Sequence, residues 1–149
     1  MSGETWRGSP LKVEWSSPPR HQEKPRSRKK AQGVRYEKRV RRILEDQSLM
    51  FGPWMRVQSG NKVFHRQPDA VLVGESEGLV AEIKHTEVQN AWDQLSEYAE
   101  LLSKLYEMPF KRLLIAKIIH SEPDGRGPED SDRMLALDGP DARLWHLFI

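Results

Sequence analysis

The sequence predicts an α/β protein: a central mixed β-sheet flanked by helices. Three observations carry that expectation. An apolar stripe at helical spacing runs through residues 33–48. Two short apolar runs, 70–73 and 79–83, face each other across a Gly-bounded turn. A long amphipathic stretch, 88–106, is followed by the apolar run Arg112–Ile119. Helical and extended periods that alternate in this way build sheets covered by helices.

Residues 1–31 are rich in Pro, Ser, Gly and charge and show no usable period, so they are expected to form a mostly disordered basic arm ahead of a folded domain at 32–149. From Gly33, Tyr36, Val40, Ile43 and Leu44 make the apolar stripe of a helix, with Lys38, Arg39, Arg41 and Arg42 around it. Glu37 falls on or beside that stripe, an unfavourable place for a carboxylate without a partner. Gly52-Pro53 breaks the chain, and Trp54–Gln58 and Lys62–Arg66 read as strands around the turn Ser59-Gly60-Asn61. The hairpin of Ala70–Val73 and Leu79–Ile83 follows. The helix of 88–106 places Val88, Trp92, Leu95, Ala99, Leu102 and Tyr106 on one face and stops at Met108-Pro109. Arg112–Ile119 suits a central strand. Residues 121–141 read as an acidic loop, solvated or facing a partner protein, and Arg143–Ile149 as a last strand.

The formal net charge of +2 conceals an asymmetry: residues 1–50 hold 13 Lys/Arg and 6 Asp/Glu, residues 51–149 hold 11 and 16. A concentrated basic end points to a polyanionic partner, nucleic acid above all. Within it, Arg28, Lys29 and Lys30 are expected to contact DNA. No apolar stretch is long enough to cross a bilayer or to serve as a signal peptide, so the reading is intracellular, cytoplasmic and without a membrane partner. The absence of cysteine excludes disulfides and thiolate metal sites.

The chemistry concentrates in the hairpin. Alternation puts Glu82 and Lys84 on one face and Ile83 on the other. If the two strands pair through the 74–78 turn, Asp69 and Glu82 come opposite each other. Two carboxylates so placed repel unless a cation sits between them. Mg²⁺, a hard ion, takes such oxygen donors and keeps several waters. A lysine one side chain along can face a phosphate or an attacking water, an arrangement suited to metal-assisted phosphodiester hydrolysis.

Pro68-Asp69, twelve intervening residues and Glu82-Ile83-Lys84 resemble the motif of the PD-(D/E)XK, or restriction-endonuclease-like, nuclease superfamily. Gly33-x-x-x-Glu37 looks like the additional acidic position of many members. Gln94-Leu-Ser-Glu-Tyr98 resembles the Q-x-x-x-Y element of the branch with RecB-type and phage exonucleases. The resemblance spans residues 33–119 and implies a core of helix, three strands, helix and strand. It implies that Asp69 and Glu82 bind Mg²⁺ (Mn²⁺ substituting), joined by the Ile83 carbonyl and by Glu37. Lys84 would position or activate the attacking water, and Gln94 and Tyr98 would support the site or DNA. Arg66 could contact phosphate; for His85 the alternatives are a DNA-backbone contact or no role. The expected function is a Mg²⁺-dependent nuclease on DNA, exonuclease-like, in recombination, repair or processing, in a bacterial or phage setting; the reading admits a homo-oligomer. The alternatives are a structure-specific, Holliday-junction-type endonuclease and a DNA-binding protein of the same fold without useful catalysis.

Overall fold

A computed structural model of the chain describes residues 11–19, 28–85, 90–116, 133–136 and 142–146, with 28–32, 133–136 and 142–146 described by their backbone alone. Nine strands and two α-helices are described in the order β1 (Leu11–Ser16), α1 (Arg28–Ile43), a 3₁₀ turn (Glu45–Gln47), β2 (Met50–Phe51), β3 (Trp54–Ser59), β4 (Lys62–Arg66), β5 (Ala70–Val73), β6 (Gly78–Lys84), α2 (Ala91–Tyr106), β7 (Phe110–Ala116), β8 (Arg133–Ala136) and β9 (Ala142–His146). Among the described residues no helix is long and apolar enough to cross a membrane.

The mixed α/β class holds, but the strands divide into two sheets rather than one. β1, β3 and β4 form an antiparallel three-stranded sheet, and the other six form a mixed sheet in the order β2-β5-β6-β7-β9-β8. Local alternation specifies that 54–58 and 62–66 are extended; it does not specify which strands they join. The chain leaves β4 through Gln67-Pro68. Proline lacks a ladder N–H and restricts the residue before it, so continuous pairing stops there and β5 begins anew.

The expectation of a mostly disordered arm over 1–31 is corrected at two places. β1 pairs with β3 along six residues, from Leu11↔Ser59 to Ser16↔Trp54. Its Leu11, Val13 and Trp15 alternate at period two and pack on the core, and Trp15 Nε1 donates a hydrogen bond to the Tyr106 hydroxyl at 2.7 Å. α1 starts at Arg28, five residues before the glycine where the sequence placed it. The acidic 121–141 segment is likewise not all loop, since β8 lies within it and pairs antiparallel with β9; its other residues lie outside the described ones. So do 147–149 of the expected last strand and 86–89, which include the expected start of α2.

Each face of the larger sheet carries a helix. Tyr36 and Val40 of α1, with Leu44 just beyond its end, bury against Ala70, Ala81, Ile83, Leu113 and Ile115. Leu95, Tyr98, Leu101 and Leu102 of α2 pack with Val71, Val80 and Leu114 of the sheet and with Met55 and Val57 of β3. The two residue sets alternate along β6, as the pleat requires. β6 and β7 run parallel, from Gly78↔Phe110 to Lys84↔Ala116, with α2 as the crossover between them. The strands thus carry their C-terminal ends, Lys84 and Ala116, to one rim. The N-terminal end of β5 reaches the same rim because it pairs antiparallel with β6.

Candidate functional site

The hairpin register settles where the charges meet. Ala70 pairs with Ala81 and Val71 with Val80, so the next step outward sets Asp69 opposite Glu82. They are tied through each other's backbone. The Ile83 N–H donates to Asp69 Oδ2 at 2.7 Å, and the Asp69 N–H donates to Glu82 Oε1 at 3.2 Å. Lys84, two residues on and on the same face, places Nζ 3.5 Å from Glu82 Oε2. Glu82 is 4% exposed and is the one buried charged residue among the described ones. The neighbouring turn braces Asp69: Gly52, at φ +61°, donates its N–H to the Asp69 carbonyl at 3.0 Å and accepts from Gln67 Nε2 at 3.0 Å.

Glu37 comes to this rim from α1, near enough for the charge of Asp69 to act on its carboxyl. Arg41, one turn further along the helix, holds it at 2.6 Å. The Arg41 guanidinium lies over the Phe51 ring, 5.5 Å from its centroid. From the opposite side Tyr98 of α2 approaches, 8% exposed. Its phenol is pushed up from the ordinary tyrosine value, by burial first and then by the negative charges of Glu82 and Asp69. Two helices and two strands therefore contribute to one place.

Electrostatically this place is under tension. Burial, and after it the charge of Glu82, raises the Asp69 carboxyl from 3.8 to about 7. Burial and then the charge of Asp69 raise Glu37 from 4.5 to about 7. Glu82 is raised as well, by burial, against the lowering effect of Lys84. Carboxylates that are desolvated and crowded by like charge resist ionisation. Among the described residues no three His, Cys, Asp or Glu side chains already stand as a metal-holding group; Asp69 and Glu82 each direct an oxygen at a backbone N–H. The donor set nonetheless fits a hard divalent cation, because its side-chain donors are carboxylate oxygens and the charge it lacks is positive.

Of the other residues singled out from the sequence, Arg66 ends β4 in an ion pair with Glu97 of α2, stacks 4.6 Å from the Phe64 ring centroid, and lies on the Tyr98 side of the site. Gln94 is exposed in the first turn of α2. His85 is not on the carboxylate face: its ring sits 5.6 Å from that of Tyr36, on the α1 side, as alternation after Lys84 requires. Arg28, Lys29 and Lys30 occupy the first turn of α1, where only the backbone is described. The sequence reading did not assign Arg41 or Glu97 a partner. The i,i+4 spacing of Glu37 and Arg41 signals the first pair, while the second joins residues 31 apart and leaves no local signal. No protein-family model matches the chain, and no curated protein compared with it does.

Proposed function

We propose that this chain is a metal-dependent nuclease of the PD-(D/E)XK kind, with a restriction-endonuclease-like core, that hydrolyses phosphodiester bonds in DNA. The observation that carries the reading is the meeting of Asp69 and Glu82 across the β5–β6 register, with Lys84 beside them and Glu37 behind. Asp69 and Glu82 would hold Mg²⁺, with the Ile83 carbonyl and Glu37 as the further oxygen donors of the resemblance. When bound, the ion supplies electrostatic stabilisation of the negative charge that builds on the phosphate oxygens.

The remaining work falls to the chain. Lys84 Nζ, 29% exposed along its side chain, reaches both Glu82 and the solvent side of the rim. It can donate a hydrogen bond to the attacking water and hold it in line with the phosphate. Arg41 keeps Glu37 oriented toward the rim. Tyr98, closing the α2 side, would exclude water from behind the carboxylates, and Arg66, on that same side and paired with Glu97, would contact a flanking phosphate. The resemblance of Gln94-Leu-Ser-Glu-Tyr98 to the Q-x-x-x-Y element is what favours the exonuclease-like mode over the junction-resolving one.

The test is cleavage of linear, closed-circular and four-way-junction DNA, side by side with Mg²⁺. Degradation from ends is expected to outpace nicking of circles. Glu82→Gln and Lys84→Ala should each lose activity by roughly 10²-fold or more while still binding DNA. Symmetric cutting of junctions would transfer the assignment to the endonuclease alternative; full activity in the Lys84→Ala protein would refute the mechanism.

A further inference from the structure

The proposed function leaves the outer face of α1 without a role, and its composition is one-sided. Between Arg28 and Ile43 the sole acidic residue is Glu37. At about 100° of turn per residue, Glu37, Arg41, Lys38, Arg42, Arg35 and Arg39 follow one another around the helix in that angular order. The sequence of side chains therefore starts at the carboxylate rim, passes the Arg41 that pairs with Glu37, and continues over an exposed arc of four cations: Arg35, Lys38, Arg39 and Arg42. Arg39 lies 5.9 Å from the Tyr36 ring centroid. Among the described residues, no ion pair engages Arg35, Lys38 or Arg42.

We propose that this arc is a docking ridge for the phosphate backbone of duplex DNA, carrying the strand away from the carboxylate rim along α1. Charge complementarity selects the occupant. From Arg35 to Arg42 the ridge extends about 10 Å along the helix axis, while a duplex presents one negative charge per ~1.7 Å, so several phosphates lie within reach at once. An anionic lipid surface fits less well, because a helix that lies in a membrane interface inserts its apolar face. The apolar face of α1 is committed to the sheet, with Tyr36 and Val40 at 0% exposure and Leu44, just past the helix end, at 9%. The exposed Val34 and Ile43 stand at opposite margins of the basic arc and form no patch of their own.

The ridge rests on the nuclease reading only for the identity of its polyanion, and the experiment separates the two. Binding of a duplex oligonucleotide is measured by fluorescence anisotropy in chelator, on an Asp69→Asn background that cannot cut, across roughly 50–200 mM salt. A triple variant, Arg35→Gln, Lys38→Gln and Arg42→Gln, removes three ridge charges with a residue of good helix propensity. A control, Lys12→Gln, Lys104→Gln and Lys111→Gln, removes the same charge from exposed positions on β1, α2 and β7.

Each phosphate contact contributes about 0.9 to the logarithmic salt slope, so the ridge variant should lose about 2.7 of it. Over a fourfold salt range the background protein should then lose about 40-fold more affinity than the ridge variant. The control should keep its slope. Should the triple variant fail to fold, Lys38→Gln alone should lower the slope by about 0.9. Equal slope losses in ridge and control variants, or an unchanged slope in the ridge variant, would overturn the ridge. So would a ridge variant that loses phosphatidylserine vesicles but keeps DNA. A chain that binds DNA with the expected slope yet cuts nothing under any divalent ion keeps the ridge and removes the nuclease reading.

Discussion

Replacing Asp69 with asparagine removes a charge from the point of greatest crowding while keeping the side chain's size and its oxygen for the Ile83 N–H. Its consequence for stability can be worked from the site. In the folded protein the Asp69 carboxyl titrates at about 7 against an ordinary 3.8, raised by burial and then by Glu82. A group with that displacement takes up a proton on folding at any pH between the two values. Folding stability therefore falls as pH rises from about 4 to 7 and levels off above. The displacement of about three units corresponds to a ceiling of about 4 kcal/mol. Solvent at the half-buried rim, and the sharing of a proton with Glu37, bring the expected effect to about 2 kcal/mol.

Without metal, the Asp69→Asn protein should be the more stable of the two by about 2 kcal/mol at about pH 8, or roughly 4–8 °C in Tm. At about pH 5 the folded carboxyl is protonated while the unfolded one is already ionised, so the difference should shrink to roughly a third of its pH 8 value, and it vanishes only below about pH 4, where both states hold the proton. Urea unfolding of both proteins at the two pH values gives a double difference in which the titrating groups not coupled to Asp69 cancel, leaving Asp69 together with its effect on Glu37 and Glu82. With Mg²⁺ at about 100 times its Kd, the wild-type chain alone should gain about 2.7 kcal/mol, and the order of stabilities reverses. An Asp69→Asn protein that gains nothing at high pH relative to low would refute the reasoning.

Two further outcomes test the scaffold that holds the site. A Cβ on Gly78 would sit 2.3 Å from the Phe110 ring, where β6 and β7 begin their parallel pairing, so Gly78→Ala should destabilise by about 1–3 kcal/mol or more in urea unfolding, with little change if the ring can move aside. Trp15→Phe keeps the ring packing against Tyr106 but loses the 2.7 Å hydrogen bond, and should lower stability by about 1 kcal/mol; an unchanged denaturation midpoint would mean that β1 is held by its ladder alone.

Much of this architecture was legible because it is written in local periods. The 70–83 hairpin and the two helices follow from spacing, and the Asp69–Glu82 pairing from the hairpin's short loop. The buried stripes follow only in part: Ile43 of α1 is 51% exposed, and Ala91, Tyr98 and Leu101 are buried on α2 where the spacing pointed to Trp92, Ala99 and Tyr106. What stayed hidden is long-range. Leu11, Val13 and Trp15 carry a clean period of two, but the Pro- and Ser-rich composition around them reads as unstructured; it is pairing with β3 and packing on Tyr106 that make them a strand. The division into two sheets depends on which edges pair, and alternation is silent on that. At the site, Glu37–Arg41 was readable as a helical i,i+4 pair, whereas Arg66–Glu97 exists only because β4 and α2 are brought together by the fold.

The distribution of charge argues that the rim is more than a strand end that happens to be polar. Elsewhere among the described ion pairs, partners are at least a quarter exposed along their side chains, where an ion pair contributes about 0–1 kcal/mol and little is lost if it opens. Glu82 is different: its side chain is 5% exposed, and Lys84 offsets the cost of burying it only in part, since its carboxyl remains raised. Hydrogen bonds from Asp69 also offset it without cancelling it, while Asp69 and Glu37 carry raised carboxyls of their own beside it. An apolar residue at position 82 would continue the core of Val80 and Leu114 without such tension. Under the proposed function the tension has a use: a divalent cation regains, as binding free energy, the repulsion that the metal-free fold sustains. On the same proposal, a cation held from α1, β5 and β6 at once would couple metal binding to the integrity of the fold, so that binding of the ion would be detectable as a gain in stability before any DNA is cut.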